Sequence, residues 1–185
     1  MQTEWTVRAI TRATLPVLVA LALLELVSGL VLGSVEATLL ELPSLLVLVP
    51  VTIGAAGNLG SVLAARLSTA FHLGTLSFAP ADDTLAGNAL ATLALSLTVF
   101  PVVGAGAWLL TELVAGAALP FRTVLLVATA SGAALAVLTV VVAVVATYAA
   151  YRFELDPDDI VIPVVTNVCD VLGVLVLFAA VRVFV

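Results

Sequence analysis

From Thr123 to Tyr151 the chain reads TVLLVATASGAALAVLTVVVAVVATYAAY, without one charged residue. A bilayer core is about 30 Å thick, and a helix crosses it with about 20 apolar residues. This stretch is long enough, and it lacks the polar face that a soluble helix of that length would need. Its Val140-Val141-Val142-Ala143-Val144-Val145 run would suit a strand in water. In lipid, backbone hydrogen bonds must close within the segment or around a barrel, so helix is the reading.

The same pattern recurs on both sides. Stretches between charges give five spans at about 13–35, 42–65, 85–110, 123–151 and 160–181, the first interrupted by Glu25 and the last by Asp170. The whole composition agrees: 63% of residues are hydrophobic and 10% charged, where soluble domains have about 45–50% and about 25%. The mean hydropathy is +1.32. The expected fold class is an all-α membrane protein, one integral membrane domain over residues 1–185 with five transmembrane helices. The apolar run after Arg8 and Arg12 is too long for a signal-peptide core and has no small-x-small cleavage site behind it, so it is read as a retained span.

Arg residues near span ends set the expected orientation. Arg8, Arg12, Arg66 and Arg152 fall on one side of a five-span chain, and Arg122 and Arg182 on the other. The N-terminus is therefore expected in the cytoplasm and the C-terminus outside, in an inner or plasma membrane. A net charge of −6 with no Lys argues against nucleic acid as a partner; membrane lipid is the expected surrounding. The lone Cys169 excludes an intramolecular disulfide, and no Cys/His cluster is present to hold zinc. No cofactor is expected.

Two acids stand where acids are costly. Glu25 and Asp170 lie near the middle of their spans, where a carboxylate costs about 2.5–3.5 kcal/mol on insertion scales. Around Asp170, the residues Asp159, Pro163, Thr166, Asn167 and Gly173 recur at helical steps and share one polar face. Oxygen ligands of Asp, Asn and Thr favour hard cations such as Mg²⁺ or Ca²⁺. Cys169 points off this stripe and reads as packing. The second span carries Gly54, Gly57, Asn58, Ser61, Ala65 and Ser68 on one face. For Gly54, Ser61 and Ala65 close helix packing is the plainer reading. Asn58, flanked by Gly57 and Gly60, is a candidate for a cation path. In Glu154-Leu155-Asp156-Pro157-Asp158-Asp159, Asp156 suits a helix cap with Pro157 at the first position; alternatively these acids form a vestibule that concentrates cations.

These residues resemble the membrane domain of the MgtE magnesium channels and of the solute carrier 41 magnesium transporters. Two motifs carry the likeness. One is Pro50 with Gly54-Ala55-Ala56-Gly57-Asn58-Leu59-Gly60 and Ala65-Arg66-Leu67-Ser68-Thr69-Ala70; the other is Asp156-Pro157-Asp158 with Pro163 and Asp170. The resemblance implies five helices, a dimer with its pore along the interface, Asp170 at the cation-selective site and Gly57-Asn58 beside the path. It implies Mg²⁺ as the transported ion, held through waters because Mg²⁺ dehydrates reluctantly. The bacterial channels' cytoplasmic N domain and CBS domains have no counterpart in this sequence. The run Ala65–Ala70 is closer to the solute carrier branch, of which this chain resembles one half.

The resulting expectation is a five-helix divalent cation transporter, most simply for Mg²⁺, working as a homodimer or with a second half-size chain. Its metal site would draw on Asp170, Asn58, Asn167, Thr166, Gly57, Asp156 and Asp159. The end of the fifth span near Leu177 is expected close to the dimer axis. The alternatives are an exchanger coupled to Na⁺ or H⁺, with Glu25 as coupling or structural acid, and a non-conducting accessory subunit. An intramembrane aspartyl protease is disfavoured because Asp170 follows Val168-Cys169 and no second deep Asp exists. The chain is not expected to be an enzyme.

Overall fold

The computed structural model describes residues 6–79, 82–116 and 118–185. The side chain of Asp158, noted in the sequence, lies outside the described residues. The elements are α1 (Val7–Ser34), a short α2 (Glu36–Glu41), α3 (Pro43–His72), α4 (Asp83–Val114), α5 (Phe121–Arg152) and α6 (Pro157–Phe184). No strand occurs among the described residues. Five of the helices are long and apolar enough to cross a membrane; α2 is a single connecting turn that no sequence pattern announced.

The helices outrun the spans drawn between charges. α3 continues past Arg66 to His72 and α4 past Glu112 to Val114. Charged side chains end a hydrocarbon stretch, but they do not end a helix, because a long side chain reaches along it toward the headgroups. At about 1.5 Å per residue, the 30 residues of α3 make a rod of about 45 Å, the thickness of a bilayer with its headgroups.

Helix starts follow local chemistry. α6 begins at Pro157, immediately after Asp156, where the missing N–H of proline costs nothing. α4 begins after Asp82, whose Oδ1 accepts the Leu85 N–H at 2.9 Å while its Oδ2 accepts the Ser77 N–H at 2.6 Å and the Ser77 hydroxyl at 2.8 Å. Three polar groups of a helix start and a loop are thereby satisfied by one carboxylate.

α6 is the hub, packed on α1, α3 and α5, while α4 lies across α5 and α3. Small residues permit the close crossings. A Cβ added at Gly104 of α4 would stand 2.7 Å from Ala128 of α5, and one at Gly132 would overlap the Phe100 ring. The Ser96 hydroxyl donates to the Gly132 carbonyl at 2.6 Å across the same pair. The apolar interior forms two clusters. One holds Leu63, Leu67, Phe100, Leu135, Val161 and Val165, and the other Leu45, Leu48, Val124, Val127, Val174 and Leu177. Leu177 is fully buried in its own chain.

α1 is peripheral. Only 6% of its most apolar window is buried, and Leu21 is its one buried apolar side chain among the described residues.

Candidate cation site

A carboxylate sits at the crossing of α3 and α6, near the middle of both helices. Gly57 is buried, and a Cβ built on it would overlap Asp170 Oδ1 and lie 3.2 Å from Asp170 Cγ. The carboxyl group of α6 thus rests on the bare backbone of α3. One turn along, a Cβ on Gly60 would stand 3.0 Å from Cys169 Sγ and 3.1 Å from Val165 Cγ1. On the other side, a Cβ on Gly173 would stand 3.3 Å from the Ile53 Cα. Gly57, Gly60 and Gly173 together set how near the two helices come, as small residues do between transmembrane helices. Cys169 is buried, with its sulfur 3.4 Å from the Thr139 hydroxyl of α5, which accords with a packing role.

Asp170 Oδ1 is buried and has no hydrogen-bond partner. Most buried polar atoms are paired, so an orphan carboxylate oxygen mid-span calls for a ligand, a proton or water. The side chain as a whole is only half-buried, leaving the carboxyl group open on one side. Glu25 of α1 lies within electrostatic range of it, so two acids from separate helices bear on one point of the membrane interior. Within one chain Glu25 is exposed. The peripheral position of α1 leaves this mid-span acid uncovered by its own chain.

The other polar residues of α6 are turned to the same use. The Thr166 hydroxyl donates to the Ile162 carbonyl at 2.8 Å, and Asn167 Nδ2 donates to the Pro163 carbonyl at 2.8 Å. Their donors are thus committed to their own helix. What remains available is the Asn167 carbonyl oxygen and the lone pairs of the Thr166 hydroxyl, an acceptor surface suited to a cation. Pro163 has no N–H, which also leaves the carbonyl of Asp159 without its helical donor. Asp159 is half-buried and Asp156 exposed at the mouth of the helix.

Asn58 is exposed within one chain, as are Gly54 and Ala65, and a Cβ on Gly54 would meet nothing within 4 Å. The small-residue stripe of α3 therefore splits into two faces: Gly57 and Gly60 pack on α6, while Gly54 and Asn58 look away from the chain. Among the described residues no three His, Cys, Asp or Glu side chains converge as a metal cage. Carboxylates that reach an ion through its water shell need no such cage.

The sequence missed one polar contact. Arg66 Nε of α3 donates to Asn88 Oδ1 of α4, and Asn88 Nδ2 donates to the Thr84 carbonyl at 2.8 Å. These residues are far apart in sequence, and no spacing rule joins them.

The class of molecule is a multi-pass helical bundle with a buried carboxylate oxygen at a glycine-bared helix crossing. The sequence profile of the MgtE family, described as a divalent cation transporter, matches residues 49–180. That match covers well over half of the chain, and the chain belongs to the MgtE family of divalent cation transporters. No individual curated protein matches it.

Proposed function

We propose that the chain conducts Mg²⁺ through a pore formed by two chains and lined by α3 and α6, with Asp170 as the selecting carboxylate. The observation that carries this is the buried, unpartnered Asp170 Oδ1 seated on Gly57. A charge there has no structural partner to satisfy it, whereas a hydrated divalent cation supplies both charge and hydrogen-bond donors through its waters. The Asn167 and Thr166 oxygens and the exposed Asn58 amide line the approach, and Asp156 and Asp159 draw cations to the mouth.

Two chains are invoked because one leaves polar groups facing lipid. Asn58, with its amide turned outward from α3, and Glu25, on the sparsely covered α1, would each be costly against hydrocarbon. Two copies about a twofold axis cover them and bring two Asp170 carboxylates to one path. The Arg distribution supports an N-terminus in the cytoplasm and a C-terminus outside, opposite faces being required by five crossings.

Mg²⁺ flux into liposomes holding the purified chain tests this. Asp170→Ala is expected to abolish flux while the protein remains inserted, and Asp170→Asn to keep the shape and lose most divalent selectivity. Wild-type flux in Asp170→Ala would remove the pore site. A second reading, Mg²⁺ exchange coupled to Na⁺ or H⁺, is favoured by the proximity of Glu25 to Asp170. Flux that follows an imposed Na⁺ or pH gradient would select it.

A further inference from the structure

The geometry points to a binding site for the phosphate of an anionic lipid headgroup in the cavity between α3 and α4 at Arg66, apart from the cation path. This cavity has a volume of about 410 Å³ and is lined by Arg66, Thr69, Thr75, Thr84 and Asn88, with Ala65, Ala70 and Leu73 as its apolar wall. That is the size range in which small-molecule sites occur, roughly 300–1,000 Å³.

Arg66 is the one arginine in α3, and no carboxylate among the described residues pairs with it. Its Nε is held by Asn88 Oδ1, and Asn88 is in turn fixed by its own bond to the Thr84 carbonyl. The guanidinium is thus oriented at one nitrogen, and among the described residues its terminal nitrogens make no hydrogen bond and present a two-pronged donor. Such a fork fits phosphate oxygens. The Thr84 hydroxyl makes no hydrogen bond among the described residues and adds a donor from α4. The Thr69 and Thr75 hydroxyls already donate to the Ala65 and Ala70 carbonyls at 2.9 and 3.1 Å, so they furnish a polar wall rather than further donors. The start of α4 itself is occupied by Asp82, and the anion is drawn by the arginine, not by the helix terminus.

Depth decides between a lipid and a soluble anion. Arg66 stands six residues before the end of α3 at His72, about 9 Å along the helix axis. In a rod that spans about 45 Å, this places the guanidinium where hydrocarbon gives way to headgroups. Rings mark the same membrane face: Phe71 stacks edge-on against Tyr151 at 5.5 Å, and Phe78 against Tyr148 at 5.4 Å. Tyr side chains gather at this level of a bilayer. A phosphodiester there meets the arginine while its glycerol and first methylenes lie on Ala65, Ala70 and Leu73.

Titration of the purified full chain in mild detergent tests the site, with phosphatidylglycerol, phosphatidylcholine or sodium phosphate added and bound lipid read by native mass spectrometry alongside Tm. Phosphatidylglycerol is expected to bind about tenfold or more tighter than phosphatidylcholine, and Arg66→Gln to weaken it about tenfold or more. Arg66→Lys, which keeps the charge and loses the fork, and Thr84→Val are expected to fall between. These two carry the test should Arg66→Gln fail to fold. Unchanged phosphatidylglycerol binding in Arg66→Lys and Thr84→Val would overturn the site. A Tm rise saturated by sodium phosphate alone, with no further gain from lipid, would overturn the lipid as occupant in favour of a soluble anion.

Discussion

Gly57 of α3 and Asp170 of α6 touch so closely that there is no room for a methyl group between the helix backbone and the carboxylate. The contact explains why a glycine precedes Asn58, and it joins packing to function at one point. Any side chain at position 57 displaces the carboxylate that the transport proposal depends on.

Gly57→Ala is therefore expected to cost about 1–3 kcal/mol, the usual penalty for overpacking, and to suppress Mg²⁺ flux strongly. Gly54→Ala, one turn away with open space around it, is expected to leave the stability of the single chain within about 0.5 kcal/mol. Thermal unfolding and liposome flux on the two variants check this. Equal behaviour of the pair would show that the crossing is not the sensitive contact.

Glu25 faces Asp170 from a helix that is otherwise largely bare. In the channel reading Glu25 is a structural acid that holds no coupling ion, so Glu25→Gln is expected to retain Mg²⁺ flux within several-fold and to keep its pH dependence. If the substitution removes a proton or Na⁺ dependence of flux, the exchanger reading takes its place.

Much of this arrangement was legible in the sequence, and the limits are physical. Asp170 and Glu25 stood out because a charge within an apolar stretch is costly, and the five long helices followed from uninterrupted hydropathy. The α3 stripe was harder. Gly54, Gly57, Asn58, Gly60 and Ser61 wind round more than one face, and only the position of α6 decides which glycines pack and which stay open. The Arg66–Asn88 bond joins two spans whose relative rotation no hydropathy pattern encodes. Asp82 carries a cap signature, an acid just before an apolar helix, but hydropathy, which drew the spans, does not say which acid accepts the first helical N–H groups.

The bonds that Asp82 accepts from the Ser77 backbone, first among them, and from Leu85 hold its carboxyl down from 3.8 to about 2. Because the folded value is depressed, its stabilisation is fully present above the ordinary carboxylate value and is lost as pH falls from about 4 toward 2. Asp82→Ala is expected to lower Tm at pH 7 by loosening the start of α4, and the gap from the wild type should shrink in that acid window. Tm measured for both proteins between pH 7 and pH 2 checks it. A gap that stays constant down to pH 2 would mean that the ionised cap contributes nothing.

The last prediction concerns the second chain. Ser61, half-buried, lies on α3 one helical turn from the exposed Asn58 and Ala65. Leu177 is fully buried within its own chain. If two chains meet along the outward face of α3, a cysteine at Ser61 meets its twin near the axis. In a Cys169→Ser background, Ser61→Cys is expected to form an interchain disulfide on mild oxidation in liposomes, and Leu177→Cys is expected to form none. Small residues at Gly54 and Ala65 permit the close approach this requires, so Gly54→Leu should reduce cross-linking of Ser61→Cys and Mg²⁺ flux together while single-chain Tm is preserved. Two results would each be decisive against the dimeric pore. One is purely monomeric protein that still carries Mg²⁺. The other is efficient cross-linking at Ser61 that survives Gly54→Leu with flux intact, since the face would then be near a neighbour without forming the conducting contact.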